Sequence, residues 1–290
     1  MLQNQFNYKV SVILPNYNHS AYLKPRLESI LNQTYHNFEL IILDDASTDN
    51  SHNMLKAYRN HPKVSHFEIN ERNTGSPFRQ WLKGIKVAKG DFIWIAESDD
   101  FCKLDFLETQ VRCLENSDVA VAKTMATLED TVISEVKHPV FDQSKQDNKL
   151  LFCPILNVSS ILFKSELVKP TKNQNFCNFK IIGDRVFYYE YFQMAKIVFN
   201  AATINYFRQS NNSISKLNHR SLSYYQSYFY EHSRFISLVK KRDSKVSHDF
   251  VRIYLNKFYS RVRDRVTPTQ KRSIRFMLLY LHYKMKIWFN

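Results

Sequence analysis

Runs of aliphatic and β-branched residues recur along the first half of the chain and predict the strands of a sheet. Four such runs lie at 9–15, 38–45, 63–69 and 91–97. Between them, apolar residues recur at helical spacing, as at Leu23, Leu27 and Ile30, which is typical of amphipathic helices. This alternation predicts an α/β fold, with a mostly parallel sheet flanked by helices.

The second half continues the alternation less regularly. Further strands are predicted at 119–127 and 157–164, one or two closing strands at 197–208, and helices at 103–115 and 184–196, while 128–150 is a variable polar stretch. From residue 216 onward the chain is aromatic, basic and helical in pattern. We therefore expect a domain over 1–215 and a helical, basic extension over 216–290.

Each strand of the first half ends in polar residues. In order along the chain these are Pro15, Asn16 and Tyr17, then Asp44 and Asp45, then 70–75, and then Glu97, Ser98, Asp99 and Asp100. The carboxyl ends of parallel strands meet at one edge of a sheet, and ligands of open α/β sheets bind there. We therefore expect a ligand site at this edge.

Three carboxylates fall within four residues, at Glu97, Asp99 and Asp100. Packed together they repel one another, so solvent, a helix N-terminus or a bound cation must make the cluster tolerable. A divalent cation is one explanation, because Mg2+ and Mn2+ prefer carboxylate oxygens. The other is an acidic loop in which Asp99 or Asp100 caps the next helix. From these residues alone both explanations remain open.

The composition excludes some classes of nucleotide site. The chain has only four glycines and contains neither GxGxxG nor GxxxxGK[ST]. Both motifs need glycines for close approach of the backbone to phosphates, so a dinucleotide fingerprint or a P-loop is not expected. The four cysteines are widely spaced and form no CxxC pair, which favours reduced thiols over a disulfide or zinc framework.

The net charge of +14 belongs almost entirely to the C-terminal extension. Residues 1–215 hold 24 Lys/Arg against 23 Asp/Glu, whereas 216–290 hold 17 against 4. In 271–290, Ile274, Leu278, Leu281, Met285 and Trp288 share one helical face among basic residues. Such a helix suits an anionic membrane surface. A cap packed on the main domain is the alternative, and the near-neutral main domain argues against nucleic acid.

No signal peptide is recognised, and no apolar run reaches the roughly 18–20 residues that span a bilayer. We therefore expect a cytoplasmic protein, held peripherally on the inner face of the cell membrane through 271–290.

The motifs resemble family 2 glycosyltransferases of the GT-A fold. The N-terminal block VSVILPNYNHSAYLKPRLESILNQTYHNFELIILDDASTDNS and the second block NTGSPFRQWLKGIKVAKGDFIWIAESDD are similar to that family. So are the later segments NVSSILFKSELV, IIGDRVFYYE and NYFRQSNNSIS. The resemblance covers about 8–215 and leaves 216–290 outside.

The resemblance implies an inverting transfer of a sugar, with Mn2+ or Mg2+ as cofactor. The donor is expected to be a nucleotide-diphosphate sugar, with UDP favoured. The acceptor is expected to be a hydroxyl of a growing surface glycan, such as a lipid-linked capsule or lipopolysaccharide chain. By this resemblance Asp99 is the metal ligand, Glu97 acts through water or on a ribose hydroxyl, and Asp184 is the catalytic base.

The remaining donor contacts are also implied by the resemblance. Asp44 and Asp45 are expected at the nucleobase and Arg79 near the diphosphate, and the other donor-binding residues are Pro15, Asn16, Tyr17 and Ser98. From the residues alone, Asp184 is an ordinary helix N-cap and Arg79 a solvated helix position. Ser210 stands where relatives often carry a metal-reaching histidine, which leaves a third protein ligand open, and His219 is a weak substitute.

Two other functions are considered. A nucleotidyltransferase shares the sheet and acidic site but is expected to carry a glycine-rich triphosphate loop, which LPNYNHSAY lacks. A degenerate, non-catalytic sugar-binding or scaffold protein is the non-enzymatic alternative. The presence of Asp45, Asp99 and Asp184 together speaks against it.

Overall fold

The computed structural model describes residues 7–137, 151–152, 155–169, 174–209, 220–243 and 245–288. The chain divides into two compact units, Met1–Ser210 and Asn211–Asn290. The division lies five residues before the boundary expected from the sequence. The two units are described separately.

The first half of unit 1 is a parallel sheet with helical connections. Its strands are β1 (Val10–Asn16), β2 (Phe38–Asp44), β3 (Val64–Ile69) and β4 (Phe92–Ile95), in the order β3-β2-β1-β4. The helices are α1 (Ser20–Leu31), α2 (Ser51–Lys56) and α3 (Pro77–Val87). The strands are apolar because most are buried on both faces, as parallel strands covered by helices require.

The second half adds strands of both directions. They are β5 (Phe101–Cys102), β6 (Val119–Leu128), β7 (Thr131–Val136), β8 (Ile161–Lys164) and β9 (Ile197–Arg208), with helices α4 (Phe106–Leu114) and α5 (Gly183–Phe192). The sheet continues from β4 as β8-β6-β9-β5. Strand β8 is antiparallel to both neighbours, whereas β6 and β9 are parallel. The predicted α/β fold with a flanked sheet is confirmed, and the later strands make the sheet mixed.

One strand was not predicted, and the start of another was predicted wrongly. The polar stretch from 128 contains β7, which forms a hairpin with β6 through Glu129 and Asp130, at φ of 48° and 62°. Left-handed turn residues match the twist of a two-residue hairpin, but Glu-Asp lacks the Asn-Gly signature that predicts one. The strand expected at 157–164 starts only at Ile161, because Val158–Ser160 form a 3-10 turn.

Close packing against β1 sets the position of α3. A Cβ at Gly84 would lie 2.4 Å from Ile13 Cγ2, so the helix approaches the strand where it has no side chain. Helix α3 also carries Trp81 toward the end of β4, where its indole meets Glu97. This arrangement places α3 beside the acidic residues.

Unit 2 is helical and has an aromatic core. It consists of α6 (Leu222–Arg242), α7 (His248–Arg263), α8 (Pro268–Lys271) and α9 (Ile274–Trp288). Ser221, Ser247 and Thr267 accept hydrogen bonds from backbone N–H groups of the first turns that follow them, which is how N-caps stabilise helices. In the described residues, no helix is both long and apolar enough to cross a bilayer.

Candidate active site

The acidic residues follow β4 at the edge where β1 and β2 end in Asn16 and Asp44. Asp100 is buried and hydrogen-bonded by the protein. Its carboxylate accepts from Asn157 Nδ2 at 2.9 Å and from the backbone N–H of Arg208 at 3.1 Å. Burial and the charge of Asp99 raise the pKa of Asp100 to about 6. Asp100 therefore anchors the acidic loop to β9 and the 3-10 turn.

Glu97 is held from two sides. Its Oε1 accepts from Trp81 Nε1 at 2.6 Å, and its backbone N–H donates to Ser159 Oγ at 3.1 Å. Burial, with the charge of Asp99 adding to it, raises the pKa of Glu97 to about 8. Trp81 is only 2% exposed, and its indole N–H fixes the orientation of this carboxyl group.

The Asp99 carboxylate differs from those of Glu97 and Asp100, because it accepts no hydrogen bond from another residue in the described part of the chain. Burial raises the pKa of Asp99, and its own backbone N–H, Arg26 and Arg208 lower it. A hard cation takes carboxylate oxygens of this kind, so Asp99 fits the expected ligand. No group of three or more His, Cys, Asp or Glu suited to a metal occurs among the described residues.

Two arginines that the sequence analysis missed lie near the carboxylates. Arg26 of α1 has no exposed surface, and its guanidinium lies 4.8 Å from the centre of the Trp94 ring. Arg208 donates from Nη1 to the backbone oxygen of Asp99 at 2.9 Å. Both arginines thus bring positive charge close to the cluster, although Nε and Nη2 of Arg208 also pair with Asp130. An arginine on the apolar face of a predicted helix was the available signal.

Asp44 is occupied by the loop that follows β2. Its carboxylate accepts from Asn16 Nδ2 at 2.7 Å and from the hydroxyl and backbone N–H of Ser47 at 2.7 and 2.8 Å. His52 Nε2 lies 2.8 Å from the same group. Asp44 and Asn16 are both buried. They therefore form part of the buried hydrogen-bonded framework at this edge of the sheet. Their contact with a nucleobase stays a prediction.

Asp45 is also buried, and it ties the loop at 70–75 to α3. Its Oδ1 accepts from Asn70 Nδ2 at 2.7 Å and from Gln80 Nε2 at 2.8 Å. Both carboxylate oxygens face the backbone N–H of Thr74, and Oδ2 also accepts from the Thr74 hydroxyl at 2.8 Å. The protein itself thus uses most of the acceptor capacity of Asp45.

An exposed ring follows β1, and a buried hydroxyl follows β4. Pro15 is buried, whereas Tyr17 is 43% exposed, so its ring is accessible to a ligand. Ser98 is buried, and its Oγ lies 2.8 Å from His19 Nδ1. Burial lowers the pKa of His19, against the opposing charge of Asp100. The sequence analysis missed His19, because only the fold brings it to the acidic loop.

Asp184 is half-buried in the first turn of α5. The helix is linked to the acidic loop through Trp81, whose ring packs edge-on against Phe187 at 5.7 Å between centroids while its indole N–H donates to Glu97. Gly183 lies against the Phe78 ring of α3, where a Cβ would approach within 2.3 Å. The helix that carries Asp184 is therefore held against α3 by two aromatic contacts.

Arg79 is exposed in the first turns of α3, and its contact with a diphosphate stays a prediction. Ser210 and His219, considered as sites of a third metal ligand, lie outside the described residues.

Comparison with known proteins identifies the family. The Glycosyl transferase family 2 model matches residues 11–180. Glycosyltransferase GlyG of Streptococcus pneumoniae is 40% identical over 115 residues, which are 39% of this chain and 37% of that protein. Poly(ribitol-phosphate) beta-glucosyltransferase of Bacillus spizizenii is 28% identical over 205 residues, 69% of this chain and 32% of that protein. These matches span well under half the length of either relative.

Solved structures show the same fold. TarS 1–349 of S. aureus, in complex with UDP, aligns with a TM-score of 0.68 and 20% identity, over 96% of this chain and 80% of that one. Mannosyltransferase PcManGT of Pyrobaculum calidifontis, in complex with GDP-Man and Mn2+, aligns with a TM-score of 0.54 and 14% identity, over 98% of this chain and 73% of that one. The α/β fold is thus the GT-A fold expected from the sequence. With the family model matching more than half of its residues, the chain belongs to glycosyl transferase family 2.

Proposed function

We propose that the protein transfers a sugar, with inversion, from a nucleotide-diphosphate donor to a hydroxyl of a growing surface glycan. UDP is the favoured nucleotide, since the related fold of TarS has been captured with UDP and with UDP-GlcNAc. A surface-glycan acceptor is favoured by the similarity to the Bacillus spizizenii enzyme named for poly(ribitol-phosphate). The observation that carries the proposal is the Asp99 carboxylate at the edge where β1, β2 and β4 end, because it accepts no hydrogen bond from another described residue.

Asp99 is the residue that would hold Mn2+ or Mg2+, with Glu97 acting through water or on a ribose hydroxyl. Bound there, such a cation would stabilise the negative charge of a diphosphate leaving group. The hydrogen bond from Trp81 orients Glu97 for either role.

Asp184 would accept the proton of the acceptor hydroxyl. In the proposed transfer the hydroxyl oxygen bonds to the anomeric carbon, the bond from that carbon to the diphosphate breaks, and the diphosphate leaves with the electron pair. General-base catalysis of this kind contributes typically 10²–10⁴-fold in rate. The contacts between α3 and α5 support a site shared by this residue and the acidic loop.

Two isosteric variants test these roles. Asp99→Asn should abolish metal-supported donor turnover, and near wild-type activity would contradict its role as ligand. Asp184→Asn should retain donor binding and reduce transfer by about 10²-fold or more, whereas equal loss of both would indicate a structural cap. Glu166→Gln, at an exposed position of the same unit, is the matched control and should leave donor binding and sugar transfer unchanged.

We also propose that α9 binds an anionic membrane surface, where a lipid-linked acceptor would be met. The apolar face recognised in the sequence is exposed, with exposed fractions of 72% at Ile274, 50% at Leu278, 48% at Leu281, 58% at Met285 and 83% at Trp288. The opposite face packs inward, as buried Leu279 indicates. The unit is strongly basic, and each basic residue near an anionic surface contributes about 1 kcal/mol.

Sedimentation with lipid vesicles tests this membrane proposal. The protein should bind vesicles that contain phosphatidylglycerol and not vesicles of phosphatidylcholine alone. Deletion of 271–290, or the pair Leu281→Glu and Met285→Glu, should release it. Met194→Glu changes a 90% exposed methionine of unit 1 and should leave binding unchanged. Unaltered binding by the deletion or the pair would contradict the proposal.

A further inference from the structure

Arg26 is a buried cation without hydrogen bonds. Its exposure is 0%, and Nε, Nη1 and Nη2 all lack a hydrogen-bond partner in the described part of the chain. The contact with the face of Trp94 compensates only part of the cost of burial. A guanidinium keeps its charge in such surroundings. What Arg26 supplies is therefore a fixed positive charge.

That charge acts on the acidic loop. Trp94 lies in β4, the strand that leads directly into Glu97, and its own indole N–H donates to Ser159 O at 2.8 Å. Burial lowers the pKa of Arg26, and the negative charges of Asp100, Asp99 and Glu97 are among the groups that oppose this shift. Arg208 is paired with Asp130 at 2.9 and 2.7 Å, whereas the guanidinium of Arg26 is paired with no carboxylate among the described residues.

A fixed positive charge beside the carboxylates repels a divalent cation and so weakens its binding to the free protein. The two phosphate groups of a nucleotide diphosphate bring the additional negative charge that a tight complex needs. Cation and diphosphate then bind more strongly together than either does alone, which is reciprocal coupling.

We propose that Arg26 makes cation binding at Asp99 depend on the diphosphate, by lowering the affinity of the free protein for the cation. The inference rests on the proposed function, because it takes Asp99 as the ligand. In this proposal Arg26 contacts neither the cation nor the diphosphate and acts through its charge alone. Arg208 carries a similar charge, but it also bonds to the backbone of Asp99, so its replacement would disturb the loop itself.

The test is a titration of the full-length protein with Mn2+, followed by the electron paramagnetic resonance of free Mn2+, with and without UDP. Arg26→Met removes the charge and keeps an unbranched apolar side chain, a replacement that buried charges often tolerate. It should tighten Mn2+ binding without UDP by roughly tenfold, because it removes the repulsion between a unit positive charge and the divalent ion.

The control variants separate charge from packing. Arg26→Lys keeps the positive charge and should have the Mn2+ affinity of the wild type. Arg112→Met removes an exposed arginine of α4 and should not change that affinity. A folded Arg26→Met protein with unchanged or weaker Mn2+ affinity would overturn the proposal.

A measurement on the wild type keeps the proposal testable if that variant does not fold. Mn2+ should bind at least tenfold more tightly with UDP than without, and equal affinities would overturn the inference. Strong coupling in the wild type with an unchanged Arg26→Met variant would refute the role of Arg26 and leave the proposed function intact. UDP binding that is independent of metal would refute both.

Discussion

Asparagine in place of Asp45 is expected to destabilise the loop at 70–75 and, with it, the protein. The carboxylate accepts from Asn70, from both the backbone and the hydroxyl of Thr74, and from Gln80, at 2.7–3.1 Å. An amide of the same shape keeps one acceptor oxygen and turns the other into a donor.

The magnitude follows from the two orientations of that amide. With its NH2 group at the Oδ1 position, it faces donors from Asn70, Gln80 and the Thr74 backbone. With NH2 at Oδ2, it faces only Thr74. The second orientation costs less free energy, because fewer donors face the NH2 group. It still loses a hydrogen bond to a charged acceptor, which is worth about 1.5–3 kcal/mol. We expect Asp45→Asn to reduce the free energy of unfolding by roughly 2–3 kcal/mol.

Urea unfolding followed by far-ultraviolet circular dichroism measures this loss, and nucleotide binding is measured on the same samples. Thr48→Val, at an exposed position of the neighbouring loop, is the control and should cost little. A change below about 0.5 kcal/mol, within the range of ordinary surface substitutions, would refute the assignment of Asp45 as the anchor of the loop. Loss of UDP binding without loss of stability would instead indicate direct contact with the nucleobase.

Two further predictions concern packing and pH. Gly183→Ala places a Cβ 2.3–2.7 Å from ring atoms of Phe78. This overpacking should reduce the free energy of unfolding by about 1–3 kcal/mol. An unchanged urea midpoint would contradict the close contact. Burial alone would raise the pKa of Asp49, but hydrogen bonds from Ser51 and Ser20 lower it from 3.8 to about 2. Because solvent screens this partly exposed group, its contribution is about 1 kcal/mol; it is present above the unfolded pKa and lost as pH falls through about 2. Asp49→Asn should remove this component of the acid unfolding profile, and an unchanged profile would contradict it.

Much of the ligand edge was predictable because its signals are local. Strands β1, β2 and β4 show as apolar runs, and the rule that ligands lie beyond the carboxyl ends of parallel strands brought Asp44, Asp45 and 97–100 together. The family resemblance supplied the roles of Asp99 and Asp184, which no local pattern distinguishes from helix capping.

The contacts that were missed are all between segments distant in sequence. Arg26 contacts Trp94 of β4 only after α1 packs on the sheet, and Arg208 of β9 bonds to Asp99, more than one hundred residues earlier in the chain. The same holds for the pairing of Asp45 with Thr74 and Gln80. Spacing along the chain cannot reveal such partners, because only the folded sheet brings them together. Strand β9, for example, pairs with β6 and β5, which come much earlier in the chain.

The most direct test of a metal-dependent donor site is calorimetric binding of UDP, GDP, CDP and dTDP, each with Mn2+ and with EDTA. The account predicts that one nucleotide, expected to be UDP, binds tightly with Mn2+ and loses that binding with EDTA. Binding that persists in EDTA, or no binding of any of the four, would contradict the donor site and favour a non-catalytic scaffold.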